Sequence, residues 1–137
     1  MARKTTKIEL NETLICNTID EHANGTFSLI GLYPKDIAVT QAPANLVVSL
    51  WLNFIGHIAE PMTLEVKLSG KNVLEEDYTV DIELSPTESL IAIPVILKNI
   101  TLPLISIGSL EISYKTPKSK WKVARTVHLE IAEAARN

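Results

Sequence analysis

The chain reads as an all-β protein: an antiparallel β-sandwich of immunoglobulin-like proportions, with about seven or eight strands, and a closed barrel as the runner-up. Three observations predict this. Isoleucine, leucine and valine dominate the apolar residues, whereas glycine occurs only 5 times in 137 residues, and branched side chains favour the pleated, half-buried surface of a strand. Run after run carries apolar residues at every second position, the period of a strand and not of a helix. No stretch longer than two turns holds a helical period, and turn residues punctuate the chain at regular spacing. The length is that of one domain spanning 1–137, in which 1–7 is expected to be a flexible lead and 132–137 a frayed tail or a single helical turn.

The elements follow in order. Residues 14–19 form a first strand, Asn24-Gly25 supplies the turn, and residues 27–33 return as the second strand of a hairpin. Gly31 inside that return strand marks a bulge or a close backbone approach. Pro34-Lys35-Asp36 ends it, and Ile37-Ala38-Val39 is a short extension. Leu46, Val48, Leu50, Leu52 and Phe54 occupy one face of the longest strand, with Val47, Ser49, Trp51, Asn53 and Ile55 on the other. Such a strand is buried on both sides. Two half-buried strands come next: Leu64, Val66 and Leu68 alternate with polar residues, and so do Tyr78, Val80, Ile82 and Leu84. Ser69-Gly70-Lys71-Asn72 turns the chain between them. A strand over 89–97 contains Pro94, which has no N–H to donate and so belongs at a sheet edge or a bulge. Finally, Leu110, Ile112 and Tyr114 pair across the loop 116–120 with Trp121, Val123, Val127, Leu129 and Ile131 in a long hairpin. Arg125 falls in the apolar phase of this last strand. A bulge that shifts the phase, or a snorkelling stem, accounts for it best. Burial against a carboxylate and an interface on that face are the alternatives.

Composition excludes several classes. With 46% hydrophobic and 21% charged residues the chain is not disordered. A net charge of -3 from 13 basic and 16 acidic residues argues against nucleic-acid binding. The apolar region 90–107 is interrupted by Pro94, Lys98, Asn99 and Pro103, so no membrane span is read there. The basic residues of 1–7 are followed by no apolar stretch, so no export signal is expected. The single cysteine, Cys16, allows no intrachain disulfide and suits a cytoplasmic location. The Asn-X-Thr triplets at Asn11, Asn24 and Asn99 are read as chance in a protein without a signal peptide.

No catalytic constellation emerges. His22, His57 and His128 lack metal-ligand spacing. The consecutive carboxylates Glu75-Glu76-Asp77 point apart rather than converging on calcium. There is no nucleophile elbow and no phosphate loop, and Cys16 sits in an apolar strand pattern as a small hydrophobe. No cofactor or metal is called for, and the chain is read as not an enzyme. Two binding features stand out. Lys118, Lys120, Lys122 and Arg125 surround Trp121 on the last hairpin, with Lys115 just before them, a pattern suited to an acidic protein surface. The bland alternative is a solvated loop whose lysines guard an edge. The second feature is the face of Val47, Trp51 and Ile55, a candidate for self-association if nothing in the fold covers it.

The segment Leu14-Ile15-Cys16-Asn17-Thr18-Ile19, followed by Asn24-Gly25-Thr26-Phe27-Ser28-Leu29-Ile30-Gly31-Leu32-Tyr33 and Asp36-Ile37, resembles the opening of a family of small bacterial and prophage β-sandwich proteins of unknown function. Ala42-Pro43-Ala44-Asn45-Leu46 and Ile107-Gly108-Ser109-Leu110 are similar to later blocks of that family. Asn17 stands where the family usually has Asp, Ile107 where Pro is common and Leu110 where Tyr is common. The resemblance implies a bacterial or prophage source and a sandwich fold, and no activity. The function expected is therefore a non-enzymatic, intracellular protein-binding module whose partner is another protein or itself. The alternatives are a structural subunit of a phage or secretion-like assembly, and a cryptic hydrolase or small-ligand-binding protein with a pocket near the loops.

Overall fold

The computed structural model describes residues 5–132. The described chain is strand and turn throughout, with no helix, and so has none long and apolar enough to cross a membrane. Nine strands form: β1 (Lys7–Glu21), β2 (Phe27–Leu32), β3 (Ile37–Val39), β4 (Ala44–His57), β5 (Met62–Ser69), β6 (Tyr78–Leu84), β7 (Ile91–Leu104), β8 (Gly108–Lys115) and β9 (Lys122–Ile131). They make two sheets. The first, in the order β2-β1-β4-β7, is antiparallel; the second has the order β3-β9-β8-β5-β6. Of the expected flexible lead, residues 1–4 lie outside the described residues, and β1 already begins at Lys7. Of the expected tail, 133–137 lie outside them, while the Ala132 N–H donates to the Val39 carbonyl at 2.8 Å.

The core grows from β4. Its inner row of Val48, Leu50, Leu52 and Phe54 is fully buried, as are Leu64, Val66 and Leu68 of β5 and Leu110 and Ile112 of β8. These rows belong to opposite sheets and join one hydrophobic cluster. Phe54 meets Tyr114 edge-on across it, with ring centroids 5.3 Å apart. Each such side chain contributes about 1.5–3 kcal/mol by leaving water. The period-two pattern is thus read by the fold as drawn, with β5–β6 and β8–β9 both antiparallel hairpins.

Three expectations change. Residues 90–107, read as a strand ending near Leu97, instead carry the 14-residue β7. Pro94 is tolerated because β7 is an edge strand with β4 as its single strand neighbour. The ladder shifts register between Val48/Leu50 of β4 and Ile100/Leu97 of β7. The buried Ser49 spans that gap: its hydroxyl accepts from the Asn99 N–H at 2.9 Å and donates to the Asn17 carbonyl at 3.3 Å, while Asn99 takes a φ of 52°. Second, Ile37–Val39 does not extend the first hairpin. It crosses to the other sheet and pairs parallel to β9, which buries Ile37 and Val39 in the core, and the Asp36 carboxylate accepts from the His128 N–H at 3.2 Å beside the crossing. Third, the 70–77 turn is more than a connection. Val73 and Leu74 are buried in the core, their N–H groups both donate to the Gly70 carbonyl at 3.0 Å, and Leu74 bridges to Leu104 of β7.

Gly56 lets β1 lie close on β4. A Cβ there would run into the Lys7 carbonyl oxygen and sit 2.7 Å from the Ile8 Cα. Gly56→Ala must push β1 away, and overpacking of this kind is expected to cost about 1–3 kcal/mol in urea unfolding.

Candidate functional site

Two surfaces, singled out by the sequence, are placed by the fold. The first is the tip of the β8–β9 hairpin. Loop 116–121 is stiffened by its own side chains: the Ser119 N–H donates to the Thr116 carbonyl at 3.1 Å, and the Ser119 hydroxyl accepts from the Thr116 N–H at 3.0 Å. Lys118, Lys120 and Lys122 are exposed, and Lys115 is half-buried opposite Glu65. Trp121 is 37% exposed and does not stand free. The Lys67 ammonium of β5 lies 4.2 Å from its ring centroid, a cation–π contact of about 0.5–1 kcal/mol at an exposed site. Lys67 was legible only as a polar-phase residue; that it reaches Trp121 follows from the β5–β8–β9 register, in which Lys67, Ser113 and Val123 are neighbours.

Beside this tip opens a groove of about 570 Å³, lined by residues 5–8, 59–62 and 116–118. Lys7 and Lys118 bring positive charge to it, Glu60 brings one carboxylate, and Ile8, Pro61 and Met62 give it an apolar floor. The Thr6 hydroxyl accepts from the Ala59 N–H at 2.8 Å and ties two of its walls together. Among the described residues the one ion pair is Lys7–Glu9, both exposed, at 4.0 Å. The hairpin lysines are thus unpaired within the described fold. The register sets Glu65 against Lys115 and Ser69 against Glu111, so the acidic loop 75–77 lies at the opposite end of the sheet from the lysines.

Arg125 does not belong to this surface. The β8–β9 ladder shifts register between Ile112/Ser113 and Arg125/Val123, so Ala124 is the extra residue. The bulge turns Val123 outward and Val127 inward, as the phase break in the sequence required. It also aims the guanidinium across the fold. Its Nη2 donates to the Tyr33 and Lys35 carbonyls, both at 3.1 Å, and its Nη1 to the Thr13 carbonyl at 3.5 Å. The partners are backbone carbonyls rather than a carboxylate. Arg125 is a clasp between the two sheets, its guanidinium turned from the lysines of the tip toward these carbonyls.

The second surface is the outer face of β4. The patch of Val47, Trp51 and Ile55 is broken up. Val47 and Ile55 remain 45% and 41% exposed, but Phe27 packs edge-on against Trp51, with centroids 5.4 Å apart. Phe27 pairs with Glu21, and Trp51 pairs with Leu14, seven positions back along β1. An extended strand would separate them by about 23 Å, so the β1–β2 hairpin bends back over the outer face. Cys16 and Ile19 are buried beneath it.

The residues that carried the family resemblance serve this bend. Gly31 has a φ of 71°, and a Cβ on it would sit 2.7 Å from the Asn17 Cγ. The Tyr33 hydroxyl donates to the Asn17 Oδ1 at 2.6 Å. They are placed by packing and hydrogen bonding. His22 and His128 bond to the Ser28 and Ser109 hydroxyls at 2.7 and 2.9 Å. Among the described residues no three His, Cys, Asp or Glu side chains gather as metal ligands. No protein-family model matches the chain, and no curated protein matches it.

Burial pushes the Cys16 thiol above its ordinary range, only partly offset by a bond to the Ile30 backbone. A raised thiol favours the fold at pH below the free thiol's range, near about 8.5, and that contribution is lost as pH rises past it. Cys16 is expected to be alkylated far more slowly in the native chain than in urea, as mass spectrometry of iodoacetamide-treated samples will read. Arg125→Met removes three charge-assisted bonds that join the sheets and is expected to cost about 1.5–3 kcal/mol, measured by urea unfolding.

Proposed function

We propose that this chain is a non-enzymatic protein-binding domain of the bacterial or prophage cytoplasm, with an immunoglobulin-like sandwich as its scaffold. Inner rows from two sheets in a single core support the sandwich reading, with one parallel strand pair as a departure from a purely antiparallel arrangement. The binding surface is the basic end: Lys118, Lys120, Lys122 and Trp121, widened by Lys7, Lys67 and the groove beside them. The observation that carries this reading is the rigid, lysine-rich hairpin tip abutting an apolar-floored groove. Unpaired lysines around a partly exposed tryptophan suit an acidic, extended segment of another protein. The resemblance of the β1–β2 segment supports a bacterial or prophage source, and the single cysteine supports a reducing compartment.

The test is capture by the tagged chain from a lysate of its own host, with a Lys118→Glu/Lys120→Glu variant alongside. One protein is expected to be retained by the wild type, released by raised salt and absent from the variant, whose thermal unfolding is unchanged. Identical captured sets from both chains would set the basic end aside.

A further inference from the structure

We infer that β2 is a pairing edge for a second copy of this chain, so that two first sheets join antiparallel through their β2 strands. This goes beyond the basic-end reading and uses a different surface. The two sheets have four edges, β2 and β7 in one and β3 and β6 in the other, and unguarded edges recruit other strands. Three of the four are guarded. On β6, Asp81 and Glu83 are exposed, and a copy would set like charges against each other. The β7 edge carries Pro94, Lys98, Pro103 and the bulge near Asn99. The β3 strand is three residues long.

The β2 strand carries neither charge nor proline and is twice the length of β3, and its one irregularity is Gly31, at a φ of 71° next to the strand end. In Phe27-Ser28-Leu29-Ile30-Gly31-Leu32 the last three residues are exposed, and Ile30 and Leu32 are each 47% exposed. A two-fold axis lays a strand antiparallel on itself, so every residue meets the same short set of side chains. An uncharged strand is compatible with its own copy in a way that β6 is not. The flanks agree. The antiparallel arrangement brings the hairpin end of one copy, with exposed Asp20 and Glu21, toward the exposed Lys35 that follows β2 in the other. The neighbouring Asp36 is already engaged with the His128 N–H. Opposite charges at the two ends of an uncharged strand select a second copy in antiparallel sense over an arbitrary extended peptide.

Sedimentation equilibrium of the full chain tests this. The wild type is expected to associate to twice the monomer mass. Ile30→Lys places two lysines near the two-fold axis and is expected to abolish the dimer with thermal unfolding unchanged. Lys35→Glu, which alters no strand residue, is expected to weaken the dimer, and adding Asp20→Lys/Glu21→Lys to it is expected to restore it. Val47→Lys/Ile55→Lys, on the outer face of β4, is expected to leave the dimer intact. A wild type that stays monomeric overturns the inference. So does a dimer that survives Ile30→Lys and Lys35→Glu, or one that is lost in Val47→Lys/Ile55→Lys with the fold preserved.

Discussion

The full burial of the inner row of β4 is the constraint on which the rest of the molecule depends. Its inner row of Val48, Leu50, Leu52 and Phe54 needs a second sheet to cover it, and β5 and β8 supply Leu64, Val66, Leu68, Leu110 and Ile112. Its outer row is less apolar but includes Trp51, which the bent β1–β2 hairpin shields with Phe27. A strand in that position must be central, so β1 and β7 flank it. Edge features follow from this: Pro94 and the Lys98–Asn99 irregularity sit on β7, where no further ladder is broken.

Sheets packed this way leave open corners, and polar groups close them. Arg125 ties the Thr13, Tyr33 and Lys35 carbonyls to β9. Asp36 fixes the start of β3 against His128. Ser49 accepts the Asn99 N–H at the irregularity of the β4–β7 ladder and donates to the Asn17 carbonyl of β1. Each satisfies backbone groups that would otherwise be costly to leave unpaired. A charged or hydroxyl residue at an odd phase in this chain therefore marks a joint of the scaffold. The lysines of the 116–122 tip differ: they make no such bonds to the fold, which is why they and not Arg125 form the candidate binding surface.

Two clusters of like charge stand at opposite ends of the second sheet. Lysines gather at the hairpin tip, and acids at the 75–77 loop beyond the far end of β5. Exposed apolar side chains are spread more widely: Ile30 and Leu32 on β2, Val47 and Ile55 on β4, Leu90 and Ile91 at the start of β7, and Val123 beside the basic tip. The two proposed interfaces, the basic end and the β2 edge, draw on different residues.

The sequence by itself determined the strands of Leu46–Phe54, Leu64–Leu68 and Tyr78–Leu84, because a period of two leaves no other regular structure there, but it did not show that β1 starts at Lys7 or that β7 runs on to Leu104. It also marked Arg125 as a charge in an apolar phase, Gly31 as a bulge or close backbone approach, and Pro94 as a residue of an edge or a bulge. The lysine cluster of the last hairpin was equally plain, since neighbours in sequence stay neighbours at a turn. Only the tertiary structure decided what lies across from each element. Lys67 under Trp121, Lys7 and Met62 beside Lys118, Phe27 over Trp51 and the three carbonyls around Arg125 join residues far apart in sequence. So does the crossing of Ile37–Val39 to β9. Periodicity reports which way a side chain points relative to its own strand. It carries no information about strand order or about how far a hairpin bends, because these depend on the sum of many contacts between distant residues.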